Sequence, residues 1–138
     1  MKTIGTEEHF VTDEVESAWS TLDPATREDS RPGAPPGELG ERLREVGERR
    51  IAAMDDAGLD VQVISLTSPG LQNLAADQAT RLQVETNDRI AELVKAHPDR
   101  FQGFATLAMP APAAGRAGAR ARCHQARPEW CPALRPHR

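Results

Sequence analysis

The chain contains no tyrosine, two tryptophans and three phenylalanines, so aromatics make up 4% of its 138 residues. With 38% hydrophobic residues in all, there is too little apolar material for every part of the chain to join one packed core. Its two cysteines, Cys123 and Cys131, both lie near the C-terminus. Without a secretory pattern they give little support to a disulfide. No apolar run approaches the length of a membrane span, and the N-terminus lacks a basic, apolar, small-residue leader pattern. A soluble, cytoplasmic protein with no membrane partner is expected.

What is present is unevenly spread. Residues 1–114 carry eleven Lys and Arg against twenty Asp and Glu, a net charge of −9. Residues 115–138 carry six Arg against Glu129 alone, a net charge of +5. This shift marks a boundary between a structured unit over 1–114 and an Arg-, Pro- and Ala-rich tail over 115–138 that is expected to be disordered.

The opening stretch TIGTEEHF, residues 3–10, places Glu7 and His9 two positions apart on a candidate first strand. Alternation along a strand would turn both side chains to one face, roughly 7 Å apart, and Glu8 to the other. A carboxylate and an imidazole so placed can share a divalent cation, as half of a coordination shell. A chance Glu-x-His in an acid-rich chain is the competing explanation.

From Thr12 to Gly37 no period is sustained, and Pro24, Pro32, Pro35 and Pro36 deny the stretch a regular element. Trp19 is its one large apolar group, a candidate anchor for a loop folded over a site. Glu38 to Ala57 reads as one amphipathic helix through Leu39, Leu43, Val46, Ile51 and Met54, with Gly58 as a left-handed cap. The β-branched run Val61 to Leu66 reads as a strand buried on both faces. Asp77 is a candidate cap for a helix to about Ala96, with Ala79, Leu82, Ile90, Leu93 and Val94 on its apolar side and a Glu85–Arg89 pair outside. His97 before Pro98 reads as a helix-end cation, and Phe101 to Met109 as a third strand.

Strands linked by helical connections of this length are parallel, which leaves the doubly wound sheet and the (β/α)8 barrel. No glycine-rich phosphate loop follows a strand. A metal-type pair at the end of the first strand is where a barrel builds its site.

Three blocks carry a resemblance: TEEHF, RIAAMDDAGLDVQVISLTSPGLQ at 50–72, and TNDRIAELVKAHPDRFQGFATLAM at 86–109. They resemble the amidohydrolase-related, metal-dependent decarboxylases, the family of γ-resorcylate, 2,3-dihydroxybenzoate and aminocarboxymuconate semialdehyde decarboxylases. The resemblance implies an α/β chain forming the N-terminal part, about three βα units, of an incomplete (β/α)8 TIM barrel. It also implies nonoxidative decarboxylation of an aromatic or related unsaturated acid around one divalent ion, Zn, Mn or Mg. Glu7 and His9 then stand as metal ligands, and Thr67 and Ser68, at the end of the second strand, as substrate-side residues. Further ligands expected from later strands have no counterpart here, so ligation is incomplete, no residue is assigned as catalytic, and the chain alone is expected to be inactive. Metal-dependent hydrolysis on the same scaffold is the runner-up chemistry, and a small non-catalytic binding protein the alternative of another class. A homo-oligomeric parent is a family expectation.

The tail suggests its own origin. GRAGARARCHQARPEWCPALRPHR is made chiefly of residues with GC-only codons, as expected of a GC-rich gene read out of frame. Regrouping the codons allowed for residues 118–138 one base later forces Gly across Trp130 and Cys131, and permits an ELER-type helix followed by a fourth strand. A frameshift near codons 111 to 117 is the expectation. Cys123, His124, Cys131 and His137 fit no zinc-ligand spacing. The six Arg have no aromatic platform or helical stripe that would suit nucleic acid.

Overall fold

A computed structural model describes residues 1–23 and 35–117. Three parallel strands form one sheet in the order β1 (Ile4–Phe10), β2 (Val61–Leu66), β3 (Phe101–Gly103). Between them lie α1 (Asp13–Ser20), α2 (Glu38–Arg44), α3 (Glu48–Asp56) and α4 (Ala76–Ala96). The parallel α/β order expected from the sequence is present, and β2 has the expected bounds.

Residues that stack on one side of the sheet decide where the core sits. Phe10, Ile64 and Phe101, one from each strand, are buried with Val46, Met54 of α3 and Ile90 of α4. Burying each such large side chain contributes roughly 1.5–3 kcal/mol as an upper estimate. A second cluster joins Val11, Val15, Ala18 and Trp19 to Leu71, Leu74, Ala79 and Leu82, and so fastens α1 over the β2–α4 connection. On β2 Val61, Gln62 and Ile64 are buried, while Val63, Ser65 and Leu66 are half-buried. β2 is therefore not buried along both faces as its sequence suggests, because three strands do not close around the second face.

α1 corrects the expectation of an irregular stretch after Thr12. Thr12 caps it by accepting from the Val15 N–H at 3.2 Å, and acids fill the first turn. Val15, Ala18 and Trp19 recur at helical spacing and are buried, so eight residues suffice once a partner surface exists. Trp19 belongs to this core, and its indole N–H donates to the Gly70 carbonyl at 2.8 Å.

The single helix expected over 38–57 is two helices. Glu45 is extended, with φ −81° and ψ 115°, and the break lets Val46 turn into the core beside Met54. The α3 end is as expected: Gly58 has φ 67°, with Gly58 N–H to Asp55 O at 3.1 Å and Leu59 N–H to Met54 O at 2.8 Å.

α4 begins one residue before Asp77. Ala75 is its cap residue, without a side-chain bond, and Asp77 sits in the first turn, where a carboxylate favours the helix dipole. Glu85 pairs at 3.0 Å with Arg81, one turn before it, and not with the expected Arg89, one turn after it. His97 occupies the C-cap, as expected of a helix-end residue.

The third strand is shorter than the expected 101–109. Its ladder reaches Phe104 N–H, which donates to Ile64 O at 2.9 Å, and then stops because β3 has no neighbour on its far side. Beyond it, buried amides of α4 take over the pairing. Asn87 donates to Thr106 O at 3.0 Å and accepts from Thr106 N–H at 2.8 Å. One turn back, Gln83 accepts from Ala108 N–H and donates to Gly115 O at 3.3 Å. Residues 112–117 are helical, with Gly115 buried. Pro24 and Pro32, Cys123, His124, Cys131 and His137, and the frame reading of 118–138, lie outside the described residues.

Among the described residues no helix is long and apolar enough to cross a membrane.

Candidate metal and substrate site

β1 does not alternate regularly. Gly5 pairs with Gln62 but Glu8 pairs with Ile64, so Thr6 and Glu7 together oppose Val63 in a bulge. Glu7 sits in that bulge, exposed, and forms no ion pair with any described residue. After the bulge the ladder resumes: His9 pairs with Ser65 and Phe10 with Leu66. Phe10 enters the core, and His9 stays exposed with its Nδ1 3.1 Å from Ser65 Oγ.

The backbone around His9 is held from the helical side. Arg50 of α3 donates through Nη2 to His9 O at 3.0 Å and to Arg42 O at 2.8 Å, and through Nε to Glu45 O at 2.7 Å. Two of these carbonyls belong to the open end of α2, so one guanidinium fork closes a helix terminus and grips β1. Burial lowers the Arg50 pKa, and the nearby carboxylates of Glu8 and Glu45 offset part of that effect. Gln62 extends the chain of contacts, accepting from Arg50 at 3.4 Å and donating to Glu8 Oε2 at 3.1 Å. Glu8 is thereby tied to the helix-facing network.

At the C-terminal ends of the strands an open groove of about 250 Å³ lies between the β2–α4 turn and the segment after β3. Ser65, Ser68, Phe104, Thr106, Leu107 and Met109 are among its walls. Phe104, Leu107 and Met109 are 61%, 44% and 59% exposed, which leaves an apolar wall facing open space. Of the two residues expected on the substrate side, Ser68 lines the groove and Thr67 does not. Thr67 serves the turn: its N–H donates to Phe10 O and its carbonyl accepts from Gly70 N–H, both at 2.9 Å. At the opposite ends of the strands, Asp55, Asp60 and Arg100 are engaged with one another and with Thr3 N–H.

A carboxylate and an imidazole are the right donor types for manganese, zinc or magnesium-like cations. They are also too few. Among the described residues no three His, Cys, Asp or Glu side chains come together as a metal cluster. The donor set fits a divalent cation in kind and supplies half a shell.

Ser65 and Arg50 were not legible as site residues. Ser65 is the only hydroxyl in a run rich in β-branched residues, and Arg50 is a cation beside the apolar stripe of its helix; both are faint signals without the tertiary partners. Gln83 and Asn87, polar residues one turn apart on the buried side of α4, were the clearer overlooked sign.

No family model matches the chain. The γ-resorcylate decarboxylase of Polaromonas sp. (strain JS666) is 35% identical over 112 residues, 79% of this chain and 31% of that protein. The crystal structure of 5-carboxyvanillate decarboxylase from Sphingomonas paucimobilis superposes with a TM-score of 0.76 at 32% identity, over 90% of this chain and 40% of that one. A dihydroxybenzoic acid decarboxylase from Polaromonas sp. JS666, solved with bound manganese and the inhibitor 2-nitroresorcinol, gives a TM-score of 0.66 at 30% identity, over 91% and 36%. The sheet and helices described above are therefore part of the amidohydrolase-type TIM-barrel fold. By sequence and by fold the chain is homologous to part of the amidohydrolase-type decarboxylases, and it spans about a third of the length of the curated relatives it matches.

Proposed function

We propose that this chain carries the opening portion of a nonoxidative decarboxylase acting on a small aromatic carboxylic acid, with Glu7 and His9 as two ligands of one divalent cation. The carrying observation is this acid and imidazole in the C-terminal half of β1, with His9 against Ser65, which walls a groove at the C-terminal end of a sheet that matches decarboxylases over most of its length. Manganese in a matched structure favours Mn over Zn or Mg as the first cation to test. When bound, such an ion supplies Lewis-acid stabilisation of charge on substrate oxygens as the carbon–carbon bond to CO2 breaks. The chain's own residues would then hold the acid. Phe104 and Leu107 offer an apolar wall for a ring, and the Ser68 hydroxyl a hydrogen-bonding group; Thr67 shapes the turn that carries Ser68.

By itself the chain is proposed to be inactive, since two protein ligands and no assigned proton donor do not make a turnover site. The tail over 115–138 is read as the product of a shifted frame, and the intact enzyme as a cytoplasmic homo-oligomer. Two experiments test this. Mn2+ titrated into the 138-residue chain should bind weakly, and Glu7→Gln or His9→Gln should abolish what binding there is; equal binding by all three proteins would remove the ligand assignment. Resequencing codons 105 to 140 should reveal a frame that continues the barrel; absence of such a frame would remove the frameshift reading.

A further inference from the structure

We propose that Ser65 is a positioning residue for the candidate metal site: its hydroxyl accepts the Nδ1–H of His9 and leaves Nε2 as the nitrogen that meets the cation. This deepens the ligand reading of His9 and rests on it.

A neutral imidazole has one N–H and one lone pair, and only the nitrogen with the lone pair can ligate. The bond made by the other nitrogen therefore chooses the ligand atom. In this chain that bond is on the page. His9 and Ser65 are direct partners in the parallel ladder, and Ser65 Oγ lies 3.1 Å from Nδ1. A serine hydroxyl can donate or accept, so distance alone leaves two arrangements. If Oγ–H donated, the ring proton would sit on Nε2 and block it. If Oγ accepts, Nδ1 holds the proton, and Nε2 is free without any net gain or loss of protons.

The backbone that carries the ring is held in place. The His9 carbonyl is held by Arg50 Nη2 at 3.0 Å, and the next carbonyl, of Phe10, by Thr67 N–H at 2.9 Å. With the backbone fixed on the helix side and Nδ1 fixed against β2, Nε2 lies on the part of the ring turned away from that contact. Ser65 also walls the groove, so the same side chain links the orientation of His9 to the space proposed for substrate.

The test uses the full chain with 15N-labelled histidine and two-bond proton–nitrogen correlation spectra at a pH where the rings are neutral. His9→Gln identifies the His9 signals among His9, His97, His124 and His137. The unsubstituted chain should show His9 mainly as the Nδ1–H form, whereas an unconstrained imidazole favours Nε2–H. Ser65→Ala should lower the Nδ1–H to Nε2–H ratio about fivefold, the worth of one ordinary hydrogen bond. Ser65→Thr, which keeps the hydroxyl on a strand-favouring residue, should retain the ratio. A His9 ring found as Nε2–H in the unsubstituted chain, or a ratio unmoved by Ser65→Ala, overturns the proposal. Substoichiometric Mn2+ separates it from the ligand reading. Selective broadening of His9 supports both, while the expected tautomer without broadening keeps the Ser65 contact and removes His9 as a ligand.

Discussion

Arg50 donates to the main-chain carbonyl of His9 at 3.0 Å, from a helix 41 positions further along the chain. The same fork closes the carbonyls of Arg42 and Glu45, so a single side chain sets both the break between α2 and α3 and the place of β1. Arg50→Lys keeps a charge but loses the planar fork, and should leave at least one of these carbonyls without its donor. A loss of about 1–3 kcal/mol is expected from urea unfolding, with Arg50→Met costing at least as much. Full stability in Arg50→Lys would show that the fork is dispensable.

Asn87 replaces a missing strand for Thr106, satisfying both its N–H and its carbonyl. Asn87→Ala should cost about 2–3 kcal/mol, because two backbone groups lose their partners at once. Limited proteolysis should then cut within residues 104–110 before the rest of the chain. Gln83→Ala should open the same segment nearer Ala108.

Gly103 lies where the end of β3 crosses α4. A Cβ there would stand 2.3 Å from Ile90 Cγ2, well inside contact distance. Gly103→Ala should destabilise by about 1–3 kcal/mol. In an Ile90→Leu background, which removes the methyl branch at Cβ, the same change should cost less, and that non-additivity is the diagnostic reading in thermal melts.

Glu14 gives the pH dependence its sign. Its carboxyl is held below the ordinary carboxylate value, first by a hydrogen bond from its own backbone N–H and then by Thr12, with Arg89 and Arg81 contributing charge. A depressed folded-state pKa means the unfolded chain binds the proton more tightly. The associated stability is therefore fully present above the ordinary carboxylate range and is lost as the pH falls through the folded value. Glu14→Gln should flatten the urea midpoint between about pH 3 and 6 relative to the unsubstituted chain. An unchanged slope would refute the assignment. Because Glu14 is almost fully exposed, the effect should be small and partly suppressed by salt.

Local signals carried the elements that local chemistry specifies. β2 was legible to the residue, because a β-branched run lies between Asp60 and the Pro69–Gly70 turn, and Gly58 marked the end of α3. What failed was decided by contacts distant in sequence. α1 is a helix because Val15, Ala18 and Trp19 find Leu71, Leu74 and Ala79. The break at Glu45 exists because Val46 belongs in the core and Arg50 can seal the open carbonyls. β3 is short for want of a neighbour. Of the candidate site, the Glu-x-His pattern was visible, but the groups that hold it, Ser65 and Arg50, sit 56 and 41 positions from His9 and give no spacing signal.

The bulge in β1 changes what the Glu-x-His spacing means. Four steps lead from Gly5 to His9 while three lead from Gln62 to Ser65, so the strand holds one extra residue, at Thr6 and Glu7, ahead of the regularly paired Glu8 and His9. The spacing between the Glu7 carboxylate and the His9 imidazole is then set by the geometry of the bulge and not by the regular pitch of a strand. Deleting Thr6 should regularise the ladder, keep His9 opposite Ser65, and return that spacing to the regular pitch of a strand.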